Sequence, residues 1–276
     1  MRPRQGSGRP TRPVGSVTRG TTNPNRLRRI DRWLTAPASP AGRLLRVAAD
    51  PVVVDLGFGS SPVTTVELLD RLRAVRPDVE VVGLEIDPDR VATAAGFARP
   101  GLTFARGGFE LTLPDGRRPV IVRAANVLRQ YAEAEAADAW ATLASRLAPG
   151  GIIVDATCDE VGRRACWLTI AESPVPQPIS LTLSMKLSAI ERPSDLAERL
   201  PKALIHRNVP GEAVHQWLTA LDQAWVRRAA LSAYGVRQRF RATIEAVRAD
   251  GWPVLDGPGR WRLGEVSLRW PPERLD

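Results

Sequence analysis

The chain has 276 residues, 43% of them apolar, a formal charge of +9 and two cysteines, Cys158 and Cys166. That length provides one large α/β domain with additions and an ample buried core. It holds no run of about 20 apolar residues to span a bilayer, no apolar signal core at its start and no paired cysteine spacing for structural zinc or a disulfide scaffold. A protein of the reducing cytoplasm, without membrane or metal, is therefore expected.

The charge sits at one end. Residues 1–34 hold nine arginines (Arg2, Arg4, Arg9, Arg12, Arg19, Arg26, Arg28, Arg29 and Arg32) against Asp31, a balance of +8 that leaves +1 on residues 35–276. Residues 1–24, rich in Arg, Pro, Gly, Ser and Thr, are expected to be disordered in isolation. Over 25–50 the pattern changes. Leu27, Ile30 and Leu34 recur three and four apart beside Trp33, which predicts a short amphipathic helix. A second short helix over 41–48 is expected to turn Leu44, Leu45 and Val47 inward. Lysine occurs only at Lys186 and Lys202, so the arginine richness fits a codon bias as well as phosphate contacts, and a basic pI does not by itself establish nucleic-acid binding.

One domain is expected over 51–276, with a cofactor-binding core over 51–156. Strands at 52–55, 80–85, 103–106, 119–124 and 151–156 alternate with helices near 62–75, 88–97 and 133–147, the pattern of a parallel sheet covered on both faces. Right-handed crossovers place the strand C-termini, and so a ligand, along one edge. Val52-Val53-Val54-Asp55-Leu56-Gly57-Phe58-Gly59-Ser60-Ser61-Pro62 reads as a buried strand, a glycine turn and a helix start. Val81-Val82-Gly83-Leu84-Glu85-Ile86-Asp87 is a second strand ending in an acid. Pro62 stands where a dinucleotide fingerprint needs its third glycine, and Asp55 would repel a pyrophosphate. Ser60 or Ser61 can cap the helix. A cofactor bearing a sulfonium and an ammonium suits Asp55, while Gly57 and Gly59 permit close backbone approach and positive φ. Glu85 can accept two ribose hydroxyls.

This Asp-x-Gly-x-Gly turn with its acidic second strand resembles the opening motifs of class I S-adenosylmethionine-dependent methyltransferases. The resemblance covers 51–156 well, including Pro149-Gly150-Gly151 before the fifth strand, and the remainder in outline. It implies a doubly wound, Rossmann-like α/β fold with a seven-stranded methyltransferase sheet, and S-adenosyl-L-methionine as cofactor. Asp55, Gly57 and Gly59 would hold the methionine part and Glu85 the ribose, with Asp87 left as a helix-start residue. The family often places an acid after the third strand for the adenine amino group. Here that segment is Phe104-Ala105-Arg106-Gly107-Gly108-Phe109-Glu110, with Gly108 in the acid's position. Adenine contact then falls to backbone groups or another side chain, and Phe109 packs either on the ring or into the core.

Two further loops follow strand ends. Arg123-Ala124-Ala125-Asn126-Val127-Leu128-Arg129-Gln130-Tyr131 lies where the family joins donor and acceptor, and its Asn-Val-Leu wording is similar to that of chemotaxis-receptor glutamate methyltransferases. Asn126 either sits near the sulfonium and acceptor or satisfies loop backbone. After the fifth strand, Asp155, Asp159 or Glu160 can deprotonate or position an acceptor. Alternatively, Asp159 and Glu160 open a capped helix. Cys158 has no evident base partner and reads as a small buried residue.

Residues 157–276 form the acceptor side. The stretch 180–187 alternates like a half-exposed strand. Two helices present Val214, Trp217, Leu218, Leu221 and Trp225, then Val236, Phe240, Ile244 and Val247, as apolar faces. The stretch 260–270 closes the chain as a strand or hairpin. This resembles the antiparallel sixth and seventh strands of the family's sheet, with a helical insertion between them near the C-terminus. His206, before the insertion's first long helix, is either a base on a lid or an exposed loop residue. His215 falls on a polar helix side.

Methyl transfer asks the protein mainly for alignment and exclusion of water, so the acceptor leaves little signature. The expected activity is S-adenosylmethionine-dependent methyl transfer to a small or medium-sized molecule, with Asn126, Asp155 and His206 as catalytic candidates. The alternatives are an RNA methyltransferase gripping phosphates through the tail and the 25–34 helix, a protein methyltransferase, and a non-catalytic cofactor-binding regulator.

Overall fold

A computed structural model describes residues 13–17, 22–113 and 115–273. Two short helices, α1 (Arg28–Leu34) and α2 (Pro40–Val47), lead into β1 (Val52–Leu56), α3 (Val63–Arg73), β2 (Glu80–Glu85), α4 (Pro88–Ala95) and β3 (Leu102–Arg106). Then come β4 (Ile121–Ala125), α5 (Glu133–Ala144), β5 (Ile152–Cys158), β6 (Arg164–Ala171) and β7 (Pro178–Met185). The chain ends with α6 (Lys202–Ile205), α7 (Ala213–Arg227), α8 (Val236–Ala249), α9 (Pro258–Trp261) and β8 (Glu265–Arg269).

These strands form one sheet in the order β3-β2-β1-β4-β5-β6-β7-β8. Strands β1 to β5 pair in parallel, and β6, β7 and β8 extend the sheet as an antiparallel meander. The doubly wound, Rossmann-like half is as expected from the apolar strand runs. The seven-stranded count is corrected to eight. The extra strand is β6, and the Asp159–Glu160 region is a hairpin turn, not a helix start. Asp159 makes that turn: its carboxylate accepts from the Val161, Arg163 and Arg164 amides, while Gly162 takes φ +64°. Strand β6 is buried along both faces from Ala165 to Ile170, so it lacks the polar alternation that marks a half-exposed strand.

Each face of the sheet carries its own core. On one face α1, α2 and α3 pack Ile30, Leu34, Leu45, Leu68 and Leu72 against Val53, Val81, Ile121 and Val154. On the other, α5, α7 and α8 pack Trp140, Leu143, Trp217, Leu221, Phe240 and Ile244 against Val52, Val54, Ile153 and Leu168. In α2, Leu45 is fully buried but Val47 is 79% exposed, correcting its expected inward face. No helix among the described residues is long and apolar enough to cross a membrane.

Of the Arg-rich tail, residues 1–12 and 18–21 lie outside the described residues, whereas 13–17 and 22–24 lie against the body. Four arginines expected to be free for phosphate are turned inward. Arg26 donates to Asp159 O, and Arg28 to Val161 O. Arg29 donates to Gly162 O and Ser184 Oγ, and burial pushes its pKa down to about 10. Arg32 lies 3.8 Å from the Glu265 carboxylate.

Candidate functional site

Strand order reverses between β1 and β4, both of which neighbour each other while their chain connections run to opposite sides. At such a switch point the strand C-termini leave a crevice. Gly57 (φ +67°) and Gly59 (φ +82°) carry the chain out of β1 in the left-handed conformation that glycine adopts at no steric cost. The Gly57 amide donates to Leu84 O at 2.7 Å, and Phe58 packs edge-on against Phe104. Gly83 makes room for that pair, because a Cβ there would lie 2.6 Å from the Phe104 ring. Pro62 occupies the cap position of α3, and Ser61 Oγ accepts from the Val63 amide at 3.4 Å.

Glu85 ends β2 beside this turn and is 1% exposed. Its carboxylate accepts from the Gly59 amide at 2.9 Å and the Ile86 amide at 2.8 Å, with Arg90 3.5 Å away. The turn after β1 and the acid after β2 are thus locked together by a hydrogen bond. Asp87 caps α4, accepting from the Asp89 and Arg90 amides.

Asp55 has a different role from the one its position suggests. Its two oxygens are taken by Arg123, through Nε at 2.9 Å and Nη2 at 2.7 Å, and by Thr65 Oγ1 at 2.7 Å. Arg123 is fully buried and also contacts Asp31 of α1, which Arg71 of α3 engages from outside. Burial would lower the Arg123 pKa, but Asp31 and Asp55 more than reverse it, holding the guanidinium charged. The negative charge of Asp55 is therefore balanced within the protein. The signal for this partnership lay in the sequence: an arginine inside the apolar run Ile121-Val122-Arg123-Ala124 needs a buried acid, and parallel register sets Asp55 opposite it.

Asn126 sits at the end of β4 with φ +60°, a conformation asparagine tolerates better than most residues. Its amide locks the ends of β4 and β5: Oδ1 accepts from the Cys158 amide at 3.0 Å, and Nδ2 donates to Cys158 Sγ at 3.3 Å. Cys158 is buried, and burial raises its thiol pKa.

Asp155 and His206 do not join this group. Asp155 points from β5 into the core beneath α5, 1% exposed, with Trp140 Nε1 donating to it at 3.2 Å. Burial pushes its carboxyl up to about 7, and an acceptor has no open path to it. The expectation that strand-end chemistry would expose Asp155 fails because β5 runs three residues further, to Cys158. His206 is exposed at the end of α6, where its Nε2 lies 3.2 Å from Lys202 Nζ. His215 pairs with Asn208 Oδ1 at 3.3 Å.

Gly108 and Phe109 follow β3 at the same edge. Phe109 is buried and stacks at a tilt on Tyr131, ring centroids 5.4 Å apart. The Glu110 carboxylate accepts from the Gly108 amide at 2.8 Å. Among the described residues no cluster of three or more His, Cys, Asp or Glu is placed to hold a metal ion.

No family profile matches the sequence, and no curated protein matches it. Among solved structures the chain is similar to the cyclopropane synthase MmaA2 from Mycobacterium tuberculosis, at 18% identity over 48% of this chain and 42% of that one, with a TM-score of 0.35. It is similar to magnesium protoporphyrin IX methyltransferase from Synechocystis PCC 6803 with bound SAM, at 22% identity over 46% and 56% of the two chains, TM-score 0.34. A third likeness is to CalS10, an amino pentose methyltransferase from Micromonospora echinaspora, at 20% identity over 56% and 70%, TM-score 0.32. The chain spans about half the length of the first two. Its own strand order and glycine turn define the fold as Rossmann-like α/β, and the resemblance to class I S-adenosylmethionine-dependent methyltransferases rests on them.

Proposed function

We propose that the chain binds S-adenosyl-L-methionine at the ends of β1 and β2 and transfers its methyl group to a small or medium-sized acceptor. The observation that carries this reading is the Gly59 amide bound to the Glu85 carboxylate, beside the β1/β4 switch point. A carboxylate offers about four lone-pair sites. With the Gly59 and Ile86 amides fixing Glu85, its remaining capacity suits a vicinal diol such as a ribose. Gly57 and Gly59 leave bare backbone for the amino-acid part. Asp55 acts as a positioning residue, holding Arg123 and the end of β1.

When bound, the cofactor supplies an electrophilic methyl carbon on a sulfonium. The protein's part is to hold an acceptor atom in line with that carbon and to exclude water. Asn126, by tying the ends of β4 and β5, fixes the loops that would flank the acceptor. The solved methyltransferases of a porphyrin and of an amino sugar support a small-molecule acceptor. Calorimetric titration with S-adenosylmethionine and S-adenosylhomocysteine tests the reading. Saturable binding by the wild type that Glu85→Ala abolishes is expected, followed by labelled methyl transfer into a small-molecule extract. A wild type that binds neither compound refutes it, and labelling of RNA alone refutes the acceptor class.

A further inference from the structure

The segment 13–17 has no place in the function so far, yet it is held at the ligand edge by its backbone. Val14 N–H donates to Glu110 Oε2 at 2.8 Å, and Val14 C=O accepts from the Phe109 amide at 3.0 Å. Ser16 N–H donates to Tyr131 Oη at 2.5 Å, and Gln130 Nε2 donates to Ser16 O at 3.0 Å. Gly15 lies flat between them with φ +128°, where a Cβ would be 3.1 Å from Ile86 Cδ1 and 3.0 Å from Tyr131 Oη. Gly108 is equally tight, since a Cβ there would meet Val14 O at 2.1 Å. Further along, Thr22 Oγ1 donates to Phe58 O and Asn23 Nδ2 to Glu160 O. The leading segment thus touches the loops after β1 to β5.

The chemistry of the Val14 contact is specific. One peptide unit's donor meets a carboxylate and the adjoining acceptor meets a backbone N–H, two neighbouring residues supplying both. An adenine presents the same pair, an amino donor next to a ring-nitrogen acceptor. It is also flat, and the slot between Ile86 and the Phe109–Tyr131 pair admits a flat group. On the cofactor reading above, Ile86 directly follows the ribose-holding Glu85, which is where a nucleobase would lie.

We infer that the Val14–Ser16 segment is an internal occupant of the nucleobase subsite, and that Glu110 with the Phe109 amide is the pair that reads adenine once the segment leaves. Glu110 takes the part that Gly108 cannot play. The cofactor and the segment compete, so the apparent affinity is lowered by the fraction of molecules in which the segment is seated.

Amide hydrogen exchange on the full chain, with and without S-adenosylhomocysteine, tests this together with calorimetry on three variants. In the free protein the Val14 and Phe109 amides should both be protected. Ligand should release Val14 while Phe109 stays protected. Deleting residues 1–17 should tighten binding by about tenfold or more. Gly108→Ala, which drives a methyl group into Val14 O in the full-length chain, should unseat the segment and free the Val14 amide even if the deletion folds poorly. Glu110→Gln in the truncated protein should lose preference for the adenosyl ligand over its inosyl analogue. Unchanged or weaker binding on truncation, with Val14 gaining protection from ligand, makes the segment a cover over bound cofactor and overturns the inference alone. Absence of binding in every variant overturns the cofactor reading and this inference with it.

Discussion

Replacing Asp155 with Asn should remove a large part of the pH dependence of folding. The carboxyl is 1% exposed, and its one hydrogen bond comes from the Trp140 indole at 3.2 Å. Burial pushes it up to about 7, against about 3.9 in an unfolded chain. Because the folded value is the higher one, the folded state holds more protons between the two. Stability from this group is therefore greatest at acid pH, falls as pH rises from about 4 to about 7, and then levels off. About three pH units at 1.36 kcal/mol each give ~4 kcal/mol lost across that window. Asn cannot ionise, and its carbonyl keeps the indole's acceptor. Urea titrations of both proteins from pH 4.5 to 8.5 should give a difference in unfolding free energy that grows toward ~4 kcal/mol in favour of the variant, less what the new amide donors lose by burial. Asp256, which burial also raises to about 7, contributes equally to both curves and cancels. A flat difference curve would mean that Asp155 ionises like an exposed carboxylate, and the burial argument would fall.

Two other perturbations probe the frame of the site. Arg123→Met leaves Asp31 and Asp55 without their shared cation in a dry interior, so a loss of about 3–5 kcal/mol is expected in denaturant unfolding; a loss under ~1 kcal/mol would show the acids relaxing to water. Asp159→Ala removes the acceptor for three turn amides, which should cost about 1–3 kcal/mol and speed exchange of the Arg163 and Arg164 amides; unchanged exchange there would assign the turn to Gly162 alone.

Much of the parallel half is legible because its strands are apolar runs punctuated by Gly and Pro, and because a glycine turn with an acidic neighbour strand has few other uses. Gly57, Gly59 and Glu85 converge as the motif spacing suggests. The antiparallel half is less legible. Strand β6 is buried on both faces, so the period-2 signal is missing, and Asp159 caps a hairpin as readily as a helix. Asp155 illustrates another limit: the motif places it near a strand end, but only the length of β5 decides whether it faces a ligand or the core. Asp55 fails as a free charge for a reason no local pattern contains, its partner Arg123 lying two strands away in the chain and one strand away in the sheet. The Arg-rich start is the fullest case. Composition marks it as a solvated tail, yet backbone groups of Val14 and Ser16, which composition cannot weigh, seat it at the ligand edge.

Helix α1 is made early on the ribosome, but what it needs is made last. Arg29 bonds Ser184, 155 positions on, and the Leu263 carbonyl, 234 positions on, while Trp33 stacks on Trp167. A nascent chain lacking β7 and β8 would carry an unmatched guanidinium and an uncovered indole. Completion of the fold is thus postponed until synthesis is nearly over, and contacts of such long range make for slow assembly. A chain cut short before Leu263 should consequently be a substrate for chaperones and proteases, whatever the integrity of its nucleotide-facing half.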